Sequence, residues 1–131
     1  MAAVDQQDPV LAALDSLVEA LRRNIASDRQ AIRRAAHICR ERERGLSYGE
    51  IVTAEVPPLI VELTRQSLDR LAQHGAQLRR VEARALYDEG MTMKHIAALF
   101  GVTRQRVSVL LQTQADRDGE TTRATTGKRQ R

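Results

Sequence analysis

The sequence predicts an all-α fold, and three observations predict it. Apolar residues recur at three- and four-residue steps along most of the chain, the spacing of one helix face, and nowhere alternate as a half-buried strand requires. The gaps between these stretches carry helix-start and helix-stop residues: Asp8-Pro9, Ser47 with Glu50, Gly45, Gly90, Thr92 and Gly101. Apolar residues make up 42% of the 131, yet the only aromatics are Tyr48, Tyr87 and Phe100, so the interior is aliphatic.

The elements follow in order. Asp8 can cap a first helix, with Pro9 tolerated in its first turn. Val10, Leu14, Leu17, Val18, Leu21 and Ile25 then mark its apolar face. Ser27 followed by Gln30 reads as a capping box, so a second helix is expected from Asp28. Ile32, Ala35, Ala36 and Cys39 give it a narrower apolar stripe of small residues, its arginines facing away, and Gly45 ends it. Ser47 with Glu50 opens a short helix over Tyr48, Ile51 and Val52, which Pro57-Pro58 stops. A further helix from Leu59 turns Leu59, Ile60, Leu63, Leu68 and Leu71 inward and is expected to break near Gly75. Residues 44–51 echo residues 89–96, and the echo reads as two helix starts with similar capping. After Gln112 the composition changes. Residues 114–131 hold only Ala115 and Ala124 as apolar residues, which is the composition of a disordered basic tail.

Charge and composition limit the function classes. Residues 1–20 hold four acids (Asp5, Asp8, Asp15, Glu19) and no base, whereas residues 21–44 hold eight arginines against Asp28, Glu41 and Glu43. Residues 79–113 and the tail are each net basic, and basic stripes attract phosphate. No stretch is long and apolar enough for a membrane span, and the acidic start is unlike a secretory signal. A single cysteine, Cys39, excludes an internal disulfide and fits a cytoplasmic location; it reads as a small core residue. His37 and Cys39 lie two apart while His74 and His95 stand alone, so no metal-ligand spacing exists. There is no nucleophile motif and no glycine-rich phosphate loop. The expectation is a protein without metal or cofactor that is not an enzyme.

The most specific pattern runs from Tyr87 to Leu111. Gly90 ends one helix and Thr92 caps the next; Ile96 and Phe100, four apart, face the core. Ala97 sits where two helices cross, and a larger side chain there would separate them. Gly101 falls at a sharp turn that asks for positive φ. Val102 fills the underside of that turn, Thr103 caps a second helix, and Val107, Leu110 and Leu111 hold it inward. This is the pattern of a helix-turn-helix. Outward on the second helix remain Arg104, Gln105, Arg106, Ser108, Val109 and Gln112. Arginine can pair with guanine O6 and N7, and glutamine with adenine N6 and N7, from the major groove. Thr103, Ser108 and the backbone N–H groups at the helix start suit phosphate oxygens, and Thr92 and Lys94 join the expected DNA-binding residues. No acid occurs between Lys94 and Gln114, as a surface pressed to a polyanion requires.

Residues 83–112 resemble the helix-turn-helix of bacterial sigma factors that reads the −35 promoter element (region 4), above all in the run Gly101 to Ser108. Serine-recombinase C-terminal domains share a similar pattern. More closely, the chain looks like small bacterial helix-turn-helix regulators. The resemblance covers about a quarter of the chain firmly, and it implies double-stranded DNA binding through Thr103, Arg104, Gln105, Arg106 and Ser108. The aromatic promoter-melting domain of a sigma factor is missing, and there is no room for a recombinase catalytic domain. The organisation expected is a helical, dimerising region over 1–78, a DNA-binding domain over 79–113 and a tail over 114–131. The function expected is a homodimeric transcriptional regulator with recognition helix 103–112. The alternative is a sigma-like protein that docks on RNA polymerase or another regulator.

Overall fold

The computed structural model describes residues 8–112, and the tail expected over 114–131 lies outside the described residues. Within them every regular element is a helix and no strand occurs: α1 is Pro9–Glu43, α2 Tyr48–Thr53, α3 Ile60–Asp88, α4 Met93–Phe100, and α5 covers 104–112. No helix among the described residues is long and apolar enough to cross a membrane.

α1 starts where its capping residue places it. The Asp8 carboxylate accepts the Val10 and Leu11 backbone N–H groups at 2.9 and 3.3 Å. The helix then runs 35 residues without interruption, which corrects the expected start at Asp28. Ser27 and Gln30 carry the letters of a capping box, but a cap forms only where the chain turns and frees backbone N–H groups. Between Pro9 and Glu43 there is neither glycine nor further proline, and alanine, leucine, arginine and glutamate carry the helix through. It ends at Gly45, at φ +93°, with Leu46 N–H donating to the Glu41 carbonyl at 3.2 Å and Gly45 N–H to Arg42 at 3.0 Å.

α2 opens with the expected reciprocal cap. Ser47 Oγ accepts Glu50 N–H at 3.1 Å, and the Glu50 carboxylate accepts Ser47 N–H at 2.9 Å. The backbone N–H of Ser47, and secondarily its side chain, hold the Glu50 carboxyl below its ordinary range. The link to α3 contains a cis peptide between Pro57 and Pro58. Arg34 ties this link down, donating to the Val56 carbonyl at 2.7 Å and to the Pro58 carbonyl, with Glu55 at 3.8 Å. α3 then continues through Gly75 to Asp88, so the break expected there is absent. A helical glycine costs about 1 kcal/mol against alanine, and the good helix formers around it outweigh that.

The chain divides into two compact units. One is Asp15–His74; the other joins the residues before Asp15 to those from Gly75 onward. In the first unit α1 and α3 run antiparallel, and its buried positions are Ala20, Ile51 and Leu63 with the polar Asn24 and Ser67. Asn24 uses both ends of its amide: Nδ2 donates to the Ser67 carbonyl at 2.9 Å, and Oδ1 accepts from Arg70 at 2.7 Å. Ser67 Oγ donates in turn to Asp28 at 3.2 Å.

Here the reading of Cys39, Leu68 and Leu71 as inward residues needs correction, and the apolar face of α1 proves largely open. Leu17 is half-buried, but Leu14, Val18, Leu21, Ile25 and Ile32 are exposed, as are Ala35, Ala36 and Cys39. Leu68 and Leu71 of α3 are exposed as well. The stripe that the fold covers contains Ala13, Ala20 and Asn24, whose small side chains let helices approach closely. The bulkier stripe beside it is left open.

Candidate functional site

In the unit from Gly75 onward, α4 and α5 are set by two tight turns of the same kind. At the first, Gly90 adopts φ +102°, Met91 N–H donates to Leu86 and Gly90 N–H to Tyr87, both at 3.0 Å. At the second, Gly101 adopts φ +66°, with Val102 N–H on Ala97 at 3.0 Å and Gly101 N–H on Ala98 at 3.4 Å. Each glycine satisfies the last carbonyls of one helix and turns the chain into the next. Each turn is followed by a threonine cap. Thr92 Oγ1 accepts His95 N–H at 3.2 Å, and Thr103 Oγ1 accepts Arg106 N–H at 3.1 Å.

The helices close on one aliphatic cluster. Ala83, Ile96, Ala97, Val107, Leu110 and Leu111 form it, with Leu86, Met91, Met93, Phe100 and Val102 packed at its edge. Ile96 and Val107 are 0% exposed, so α4 and α5 are each pinned through one central β-branched side chain. Ala97 is buried in the same cluster.

An L-residue at Gly101 meets backbone strain and nothing else, because a Cβ there has no neighbour within 4 Å. Gly101→Val is expected to lower stability by about 1–3 kcal/mol. Gly101→Asn, better suited to left-handed backbone, should lose clearly less. Thermal unfolding checks this, and equal midpoints for valine, asparagine and wild type would show that the turn tolerates another conformation.

Burial of Val107, Leu110 and Leu111 turns the opposite side of α5 to solvent. Arg104, Gln105, Arg106, Val109 and Gln112 are exposed, and Ser108 is half-buried. Helical spacing puts Gln105, Val109 and Gln112 along the centre of this outward face, with Arg104 and Ser108 on one flank and Arg106 on the other. Thr92 and Lys94 are exposed at the start of α4. Val109, already outward by its spacing, is the apolar member of this face, four residues after Gln105. A further cation emerges only from the fold. Arg79 of α3 lies over the Phe100 ring, 5.2 Å from its centroid, which brings a charge from an earlier helix to the end of α4. Arg84 instead pairs with Asp88 at 3.2 Å along its own helix.

Among the described residues no group of three or more His, Cys, Asp or Glu side chains is placed to hold a metal ion. Comparison with family models, with curated proteins and with solved structures gives no match.

Proposed function

We propose that this chain is a sequence-specific DNA-binding transcriptional regulator of the cytoplasm. In this reading residues 83–112 form a helix-turn-helix, and two copies read two half-sites. The observation that carries the reading is the outward face of α5: two glutamines and an aliphatic side chain in a row, arginine on both flanks, and no acid from Gly90 to Ala115. Each part suits the major groove. Gln105 and Gln112 can pair with adenine, Arg104 and Arg106 with guanine, and Val109 can contact a thymine methyl group. The α5 N-terminus and the hydroxyls of Thr92 and Thr103, which keep a proton to donate while accepting from the backbone, suit phosphates. Lys94 and Arg79 add charge. A single recognition helix covers few base pairs, which favours a dimer on half-sites about one DNA turn apart.

Selection of bound sequences from a random duplex pool tests the reading. The expected result is an enriched motif with repeated half-sites, and affinity that falls steeply with salt as several phosphates are neutralised. Absence of enrichment together with absence of salt-dependent binding to random duplex would overturn it. The same face would then be a protein-docking surface, as in the sigma-like alternative that engages RNA polymerase.

A further inference from the structure

The unit Asp15–His74 leaves a continuous apolar surface uncovered. Val18, Leu21, Ile25 and Ile32 on α1 and Val61 and Leu68 on α3 are between 41% and 73% exposed. Each directly follows a residue that is buried or half-buried: Leu17, Ala20, Asn24, Ala31, Ile60 and Ser67. One residue is about 100° of helix rotation. Asn24 and Ser67 mark where α1 and α3 meet, and the two helices run in opposite directions. The same rotation from that meeting line therefore carries both sets of side chains to one side of the two-helix layer. Ile25 comes to lie beside Leu68, and Ile32 beside Val61.

Six large aliphatic side chains this exposed present on the order of 500 Å², the upper range of what a monomer leaves open. That is more than half of the ~800 Å² each partner contributes to a standard interface. The occupant can be read from charge. Along the edge of this apolar face α1 carries Asp15 towards its start and, further along, Arg22, Arg29 and Arg33. A second α1 laid across it in the same direction would set like charge on like. Laid in the opposite direction, it sets Asp15, at the edge of the apolar face, against the partner's Arg29 and Arg33.

We infer that this face is covered by a second copy of the chain. The two layers pack face to face as four helices, with α1 antiparallel to its counterpart about a two-fold axis near Leu21 and Ile25. The inference deepens the dimeric part of the proposed function by naming its surface and orientation.

Sedimentation equilibrium of the full chain without DNA tests it. Wild type should be a dimer at micromolar concentration. The double variant Ile25→Glu, Leu68→Glu should be a monomer with unchanged helical circular dichroism, since both side chains are exposed. Asp15→Arg should raise the dimer dissociation constant on the order of tenfold. Combining it with Arg29→Asp should recover most of that loss, because the swapped pair meets again across the axis. A monomeric wild type, or an Ile25→Glu, Leu68→Glu variant that stays dimeric, would overturn the surface. Failure of the double swap to recover affinity would overturn the antiparallel arrangement. With no DNA present, a monomeric wild type leaves the DNA-reading helix standing. A dimer that selects no duplex does the reverse.

Discussion

Ile96→Ala is expected to lower stability by about 2–5 kcal/mol, the largest loss from any single truncation in the unit that carries α4 and α5. Ile96 is fully buried at the centre of an eight-residue helix, and α4 is too short to hold its place by propensity. Few other side chains share the load, since the cluster has alanines at two of its six buried positions and no fully buried aromatic. A removed isoleucine therefore leaves a cavity at the centre of the cluster, which the methionines at its edge can fill only in part. Ile96→Val keeps the β-branched shape and should lose only about 0.5–1.5 kcal/mol. Urea denaturation of both variants measures the difference. An alanine variant that lost less than the valine variant would mean that this position is not closely packed.

Arg104→Ala and Gln105→Ala are each expected to weaken specific DNA binding by about 1–3 kcal/mol and to relax base preference at different positions. Both side chains are exposed on the first turn of α5, so the melting temperature should stay near wild type, which separates lost contact from lost fold. Lys94→Ala should behave differently. It should weaken binding alike for all sequences and make the salt dependence shallower by about one unit. Selected motifs that remain the same for Arg104→Ala and Gln105→Ala would remove α5 from the reading of bases.

The stretch from Gly90 to Thr103 was legible in the sequence because its determinants are local. A threonine hydroxyl reaches an N–H three residues on, and a glycine with positive φ needs only its own backbone. The inward residues of α4 and α5 were legible for a similar reason, since short helices with one apolar face leave little choice. The long helices were harder. Ser27 and Gln30 repeat the letters of a cap without the chain reversal that makes one, and Gly75 is a stop signal only where the helix has already lost its packing. The aliphatic stripe of α1 was legible only as an apolar face, because periodicity reports that a face is apolar, not what covers it. Arg79 could not be placed beside Phe100 from spacing at all, because that approach depends on how α3 and α4 fold together.

The amide of Asn24 has a consequence for sliding. Where α1 presents small Ala20 beside Asn24, bulk alone does little to stop one helix from slipping along the other. A slip of one turn, about 5.4 Å, would carry Asn24 away from both the Ser67 carbonyl and Arg70 and leave a buried amide unpaired, at a cost of about 1–3 kcal/mol. With the Ser67–Asp28 bond beside it, this amide acts as a detent between the two helices and fixes the alignment in which Ile25 and Leu68 stand side by side.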